Sequence, residues 1–251
     1  MCDQHSENHP ESHSENDLAL SRRHFLKMGI VGTVGAAFAG VLGAQAASYT
    51  VPKPQNVLTP DEALIRLKKG NTRYVNGSMT NHDFAPERAD LAGAQNPFAG
   101  ILSCADSRVA PEFAFDTGRG DLFVVRVAGN FVDDAGLASF EFGVAVLGVP
   151  LIVVLGHQSC GAISSTINAV QEGTVFPGHI PTLVKAIKPA VVQAEKMQGD
   201  LLKNATRVNV ALNVERLKSA TPILKKATES GKLKVVGGVY NLETGKIDWL
   251  S

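Results

Sequence analysis

Four short runs constrain this chain more than any other feature: residues 98–103, 122–127, 151–155 and 233–239 are each nearly continuously apolar. A strand with one face in water alternates apolar and polar residues, whereas a strand apolar on both faces belongs in a parallel sheet covered on both sides. Helical patterns lie between the later runs, over 136–147, 162–171, 182–197, 200–220 and 221–230. An earlier helix opens at Thr59-Pro60-Asp61-Glu62, where Thr59 can cap, Pro60 fits the first turn and Glu62 completes a capping box. It continues through Ala63, Leu64, Leu67 and Tyr74 toward Asn76-Gly77. A last run, 246–250, follows the turn Glu243-Thr244-Gly245 and can return as an antiparallel edge strand. These patterns predict an α/β domain: a mostly parallel sheet flanked by helices on both faces, with an antiparallel edge strand near the C-terminus.

The N-terminal region reads differently. Ser21-Arg22-Arg23-His24-Phe25-Leu26-Lys27 matches a twin-arginine export signal. An apolar stretch follows to about Gly43, and Ala44-Gln45-Ala46 gives the small-x-small pattern of a signal-peptidase site. The stretch is too short and too weakly apolar for a comfortable membrane span, which wants about 20 strongly apolar residues. Residues 1–46 are therefore expected to be a cleaved signal peptide, 47–58 a proline-bearing linker and 59–251 the functional domain. The expected location is periplasmic or secreted, with the twin-arginine machinery as a transient partner and no stable membrane anchor. Cleavage leaves 21 basic and 19 acidic side chains of the 24 of each in the full chain, a net charge near +2. Such a balance offers no basic stripe for nucleic acid and no polybasic membrane patch.

Cleavage also removes Cys2, leaving Cys104 and Cys160. Two cysteines in an exported protein suggest a disulfide. The twin-arginine route carries proteins already folded in the reducing cytoplasm, so a metal site could instead be loaded before export. The neighbours of these cysteines favour the metal. Cys104 stands in Ser103-Cys104-Ala105-Asp106-Ser107-Arg108, just past the first apolar run, and Cys160 in Gly156-His157-Gln158-Ser159-Cys160-Gly161, just past the third. Ligand sites of open α/β sheets gather at the carboxyl ends of strands. Two thiolates and an imidazole form a Cys₂His set, which can hold Zn²⁺ with a fourth position open. Water at that position can ionise near neutral pH into a nucleophile. The glycines at 156 and 161 would ease the ligand turn between strand and helix. Asp106 and Arg108 suit a proton acceptor and its bidentate partner better than an exposed ion pair of little worth.

Taken together, Cys104-Ala105-Asp106-Ser107-Arg108 and Gly156-His157-Gln158-Ser159-Cys160-Gly161 resemble the β-class carbonic anhydrases, from about Leu58 to the C-terminus. The resemblance implies a catalytic domain over 59–251 that reversibly hydrates carbon dioxide to bicarbonate. It implies one Zn²⁺ per subunit on Cys104, His157 and Cys160, with Asp106 as proton acceptor (or fourth ligand in a closed state) and Arg108 holding it clear of the metal. It also carries over a substrate pocket of Gln95, Phe123, Ala128 and Phe142, where plant-like members have a tyrosine at this last position. A homodimer or higher homo-oligomer is implied, with pocket walls from both subunits and the 58–77 region embracing the partner. Bicarbonate-regulated members carry a tryptophan three residues before the first cysteine. This chain has Ile101 there and its single tryptophan at Trp249, so an open zinc is expected. If a histidine shuttles protons, His82 and His179 are the ones left in the mature chain. The alternatives are a carbon disulfide or carbonyl sulfide hydrolase of the same fold, and a non-catalytic zinc- or thiol-binding protein.

Overall fold

The computed structural model describes residues 57–250; the segment expected to be an export signal, and residues 47–56 of the expected linker, lie outside them. Helix α1 (Pro60–Val75) starts at the expected cap: Thr59 and Glu62 form a reciprocal capping box. Then come α2 (Phe84–Leu91), β1 (Ala99–Ser103), α3 (Pro111–Ala114), β2 (Leu122–Arg126), α4 (Asp134–Ala145) and β3 (Leu151–His157). The chain closes with α5 (Gly161–Gln171), α6 (Ile180–Ala194), α7 (Leu201–Ser219), α8 (Ile223–Glu229), β4 (Lys234–Tyr240) and β5 (Ile247–Trp249). The strands form one sheet in the order β2-β1-β3-β4-β5, parallel except for the antiparallel β4–β5 pair. This is the expected fold class.

The period of two along the central strands sorts the core into two layers. Ile101, Leu151, Val153 and Leu155 pack toward Ala63 and Leu67 of α1 and Phe115 beyond α3. Leu102, Ile152 and Val154 pack on the other face against Phe140 of α4 and Val210, Val214 and Leu217 of α7. β1 and β3 are buried along their whole length. β2 is not: Leu122, Phe123, Val124 and Val125 are only half-buried, because β2 is the open edge of the sheet. For that strand, apolar residues on both faces do not mean full cover within one chain.

Two helices were not read from the sequence. Residues of α2 are mostly exposed, so the helix has no apolar stripe to betray it; its start is marked by Asp83, whose carboxylate accepts the Ala85 N–H. α3 spans only four residues. Among the described residues, no helix is long and apolar enough to cross a membrane.

Candidate metal centre

Parallel pairing brings the predicted ligands together. Ser103 of β1 lies level with Leu155 of β3, so Cys104, just past β1, and His157, the last residue of β3, emerge at the same sheet end. Cys160 is the N-cap of α5, three residues later. One ligand atom from each of these three buried residues lies within 4.8 Å of the others. Both cysteines are free, their sulfurs 4.0 Å apart. Tetrahedral zinc with bonds of about 2.3 Å to sulfur would separate two thiolates by about 3.8 Å. The His157 Nδ1–H donates to the Gln158 carbonyl at 2.8 Å, which leaves the Nε2 lone pair for a ligand. That Nε2 is buried without a hydrogen-bond partner, a costly state for a polar atom unless something else engages it. Geometry and donor chemistry fit a divalent, thiolate-accepting metal ion.

Electrostatics point the same way. The adjoining Cys160 thiol, then His157 and the Gly129 N–H, hold the Cys104 thiol well below its ordinary range despite burial. The Cys104 thiolate and burial push Cys160 up, although the Ala162 and Ile163 N–H groups at the start of α5 oppose this. Two thiols this close share one negative charge until a cation compensates a second. Burial disfavours charge on His157, but Cys104, the Gln158 carbonyl and Asp106 together outweigh it and raise the imidazole above its ordinary value.

Asp106 and Arg108 form the rim. Arg108 donates through Nε to Asp106 Oδ1 at 2.9 Å, through Nη2 to Oδ2 at 2.7 Å and through its backbone N–H to Oδ1 at 2.9 Å. These bonds hold the Asp106 carboxyl well below the usual carboxylate range. Its Oδ2 stands 3.8 Å from His157 Nε2. Arg108 also donates to the Ser159 carbonyl at 3.3 Å, tying the two ligand loops together. Arg126 supports the first loop from β2, donating to the carbonyls of Cys104 (3.0 Å), Asp106 (2.8 Å) and Val109 (3.0 Å).

The ligand turn differs from expectation in its backbone. Neither Gly156 nor Gly161 has positive φ; Ser159, at +53°, takes the left-handed position. Gly156 is required by packing instead, since a Cβ there would lie 2.7 Å from Val210 Cγ2 of α7.

The proposed pocket residues are dispersed. Ala128 directly precedes Gly129, whose N–H donates to Cys104 Sγ at 3.3 Å, so it belongs beside the metal-binding group. Phe123 is level with Gly100, four residues before Cys104, or about 13 Å back along the strand. It packs against Gly143 of α4, beside Phe142, which is 47% exposed. Gln95 is exposed ahead of β1, at the opposite end of the strand from Cys104. His82 lies near Asp116, and His179 precedes α6. The sequence alone assigns no role to Arg126, to Asn130 or to the buried α7 asparagines Asn209 and Asn213. Asn130 is fully buried at φ +40° with both amide atoms unpartnered. A polar residue interrupting an apolar stretch is the signal that could have flagged the α7 pair.

Residues 99–247 match the family model described as carbonic anhydrase. A carbonic anhydrase of Mycolicibacterium smegmatis is 39% identical over 190 residues, covering 75% of this chain and 92% of that relative. The β-carbonic anhydrase CcaA superposes with TM-score 0.57 at 25% identity, over 75% of this chain and 98% of that one. A tetrameric β-carbonic anhydrase of the ascomycete Sordaria macrospora shares the fold with TM-score 0.58 at 24% identity, over 76% of this chain and 98% of that one. The chain belongs to the carbonic anhydrase family and, by its fold, to the β class, enzymes of reversible carbon dioxide hydration.

Proposed function

We propose that Cys104, His157 and Cys160 hold one zinc ion per subunit, and that carbon dioxide is hydrated beside it with Asp106 as proton acceptor. The observation that carries this reading is the buried thiolate–imidazole–thiolate group with a carboxylate–guanidinium pair at its rim. Zinc bound there would supply a Lewis acid with one open position and lower the pKa of a water on it. Asp106 stays ionised at working pH because Arg108 binds both its oxygens. It can therefore accept a hydrogen bond from the attacking water and turn that water's lone pair toward the substrate carbon. Arg108 competes with the metal for Asp106 and keeps the fourth position free, the open arrangement.

A small, linear, uncharged substrate calls for an apolar slot with one polar donor, the role we assign to Ala128, Phe123, Phe142 and the Gln95 amide. Gln95 and Phe123 lie toward the far end of β1 within one chain, so we propose that a second copy supplies them. The half-exposed edge strand β2 and exposed Phe142 support this homodimer or higher assembly. A related fold being described as tetrameric is consistent with it. The relatives' names favour carbon dioxide over carbon disulfide or carbonyl sulfide.

We also propose that residues 1–46 direct the folded chain through the twin-arginine pathway to the periplasm or beyond, with cleavage after Ala46. The Arg22-Arg23 run supports it.

The test is stopped-flow carbon dioxide hydration by the zinc-loaded chain across pH, beside Cys160→Ser. The wild type should far exceed the buffer rate and the variant should lose both zinc and activity. A zinc-loaded wild type no faster than buffer at mildly alkaline pH would refute the reading.

A further inference from the structure

Helix α7 carries two buried asparagines one turn apart, Asn209 and Asn213, within its apolar face. A buried amide is costly unless bonded, and these two grip the loop behind the metal-binding group. Asn209 Nδ2 donates to the Gly129 carbonyl at 2.8 Å, and Asn213 Oδ1 accepts the Val132 N–H at 2.8 Å. Asn213 Nδ2 donates to the Asn209 backbone carbonyl at 2.8 Å and lies 3.4 Å from Asn209 Oδ1, which steadies the first amide.

Gly129 is the third residue of a tight turn closed by the Asn130 N–H on the Val127 carbonyl at 2.9 Å. Its φ of +86° suits glycine at that position, and a Cβ would fall 2.4 Å from Ile187 Cδ1. The turn is tied to β1 by the Val127 N–H on the Ser103 carbonyl at 3.1 Å. From this fixed frame the Gly129 N–H reaches Cys104 Sγ at 3.3 Å.

We infer that Asn209 is a positioning residue for the metal centre: it holds the Gly129 carbonyl so that the Gly129 N–H stays aimed at the Cys104 sulfur. This rests on the zinc reading above. A hydrogen bond to a thiolate withdraws electron density from the sulfur and fixes its direction, and such outer partners tune both affinity and Lewis acidity. Two thiolates are strong donors to one ion, so moderating one of them matters here.

The experiment uses the full chain loaded with zinc or with cobalt(II), whose sulfur-to-metal charge-transfer band reports thiolate donation. Asn209→Ala should release zinc to a chelator about 10–100-fold faster and shift the cobalt band to lower energy. Leu217→Ala, a core truncation two turns along the same helix, should destabilise the fold without moving the band. An unshifted band in Asn209→Ala, or an equal shift in Leu217→Ala, overturns the inference. Because alanine at a buried asparagine can prevent folding, the wild type is also loaded with cadmium-113. The Gly129 amide proton should then couple to the cadmium nucleus through the Cys104 sulfur, and its failure to do so overturns the inference whatever the variants do. If the wild type takes up cobalt without any thiolate charge-transfer band, the metal-ligand reading fails, and this inference with it.

Discussion

Two aspartates ten positions apart, Asp116 and Asp106, are each paired with an arginine and do opposite work. Asp116 is paired with Arg73, 43 positions away on α1, and its carboxylate has no solvent exposure. Thr80 adds its N–H and hydroxyl to the same carboxylate, and His82 Nε2 stands 3.8 Å away. Asp106 is paired with Arg108, two positions away on the same loop, and its side chain is 16% exposed. A carboxylate saturated by donors from distant segments can only hold those segments together. One held by a single neighbour on its own loop, and facing a buried histidine, can exchange partners. Residue type alone does not separate structure from chemistry here; the sequence distance of the partner and the exposure of the carboxylate do.

The comparison can be broken most directly at Asp106. Asp106→Asn should lower kcat by about 100- to 10,000-fold, the scale of a lost proton acceptor, while urea unfolding stays close to that of the wild type. A loss under tenfold would place Asp106 in the same structural role as Asp116. Next comes Arg73→Ala, which takes a charged donor from a buried carboxylate. Unfolding free energy should fall by about 1.5–3 kcal/mol, with kcat per zinc unchanged in the folded fraction. An unchanged urea midpoint would show that Thr80 suffices.

Acid sensitivity gives the smallest effect. Burial pushes the Asp116 carboxyl up, but bonds from Arg73 and Thr80 overcome it and hold the group below its ordinary value. The stability this contributes is fully present above the unfolded-state value of about 3.9. It is lost as pH falls through the lower folded-state value. Urea midpoints measured from pH 5 to pH 3 should therefore drop less steeply in Asp116→Asn than in the wild type; equal slopes would remove Asp116 from the acid response.

The candidate metal-binding residues were legible because continuous apolar runs mark parallel strands and strand ends collect ligands: β1 and β3 had only to be neighbours for Cys104 and His157 to meet. Asp106 and Arg108 were legible because they share the Cys104 loop. What stayed hidden depended on packing between distant segments. Gly156 proved to be a contact requirement of α7 rather than a turn residue, while Ser159 took the left-handed backbone. The edge position of β2 could not be read from its composition, since Leu122–Arg126 is as apolar as the buried strands. Asn209 and Asn213 read as ordinary helix residues until their partners at Gly129 and Val132 were known. Gln95 and Phe123 were carried over by resemblance, which gives identity but not which copy of the chain presents them.

The two thiols lie 56 positions apart and meet only where two neighbouring strands end. Any stretch of chain short of that pairing offers at most the His157–Cys160 half of the group, whose spacing is local. A metal ion held by this group would therefore bind tightly only after the large loop between the half-sites has closed, and its binding energy would be collected as folding energy. Metal occupancy would thus double as a proofreading mark: a chain carrying an ion there would already have assembled the centre of its sheet.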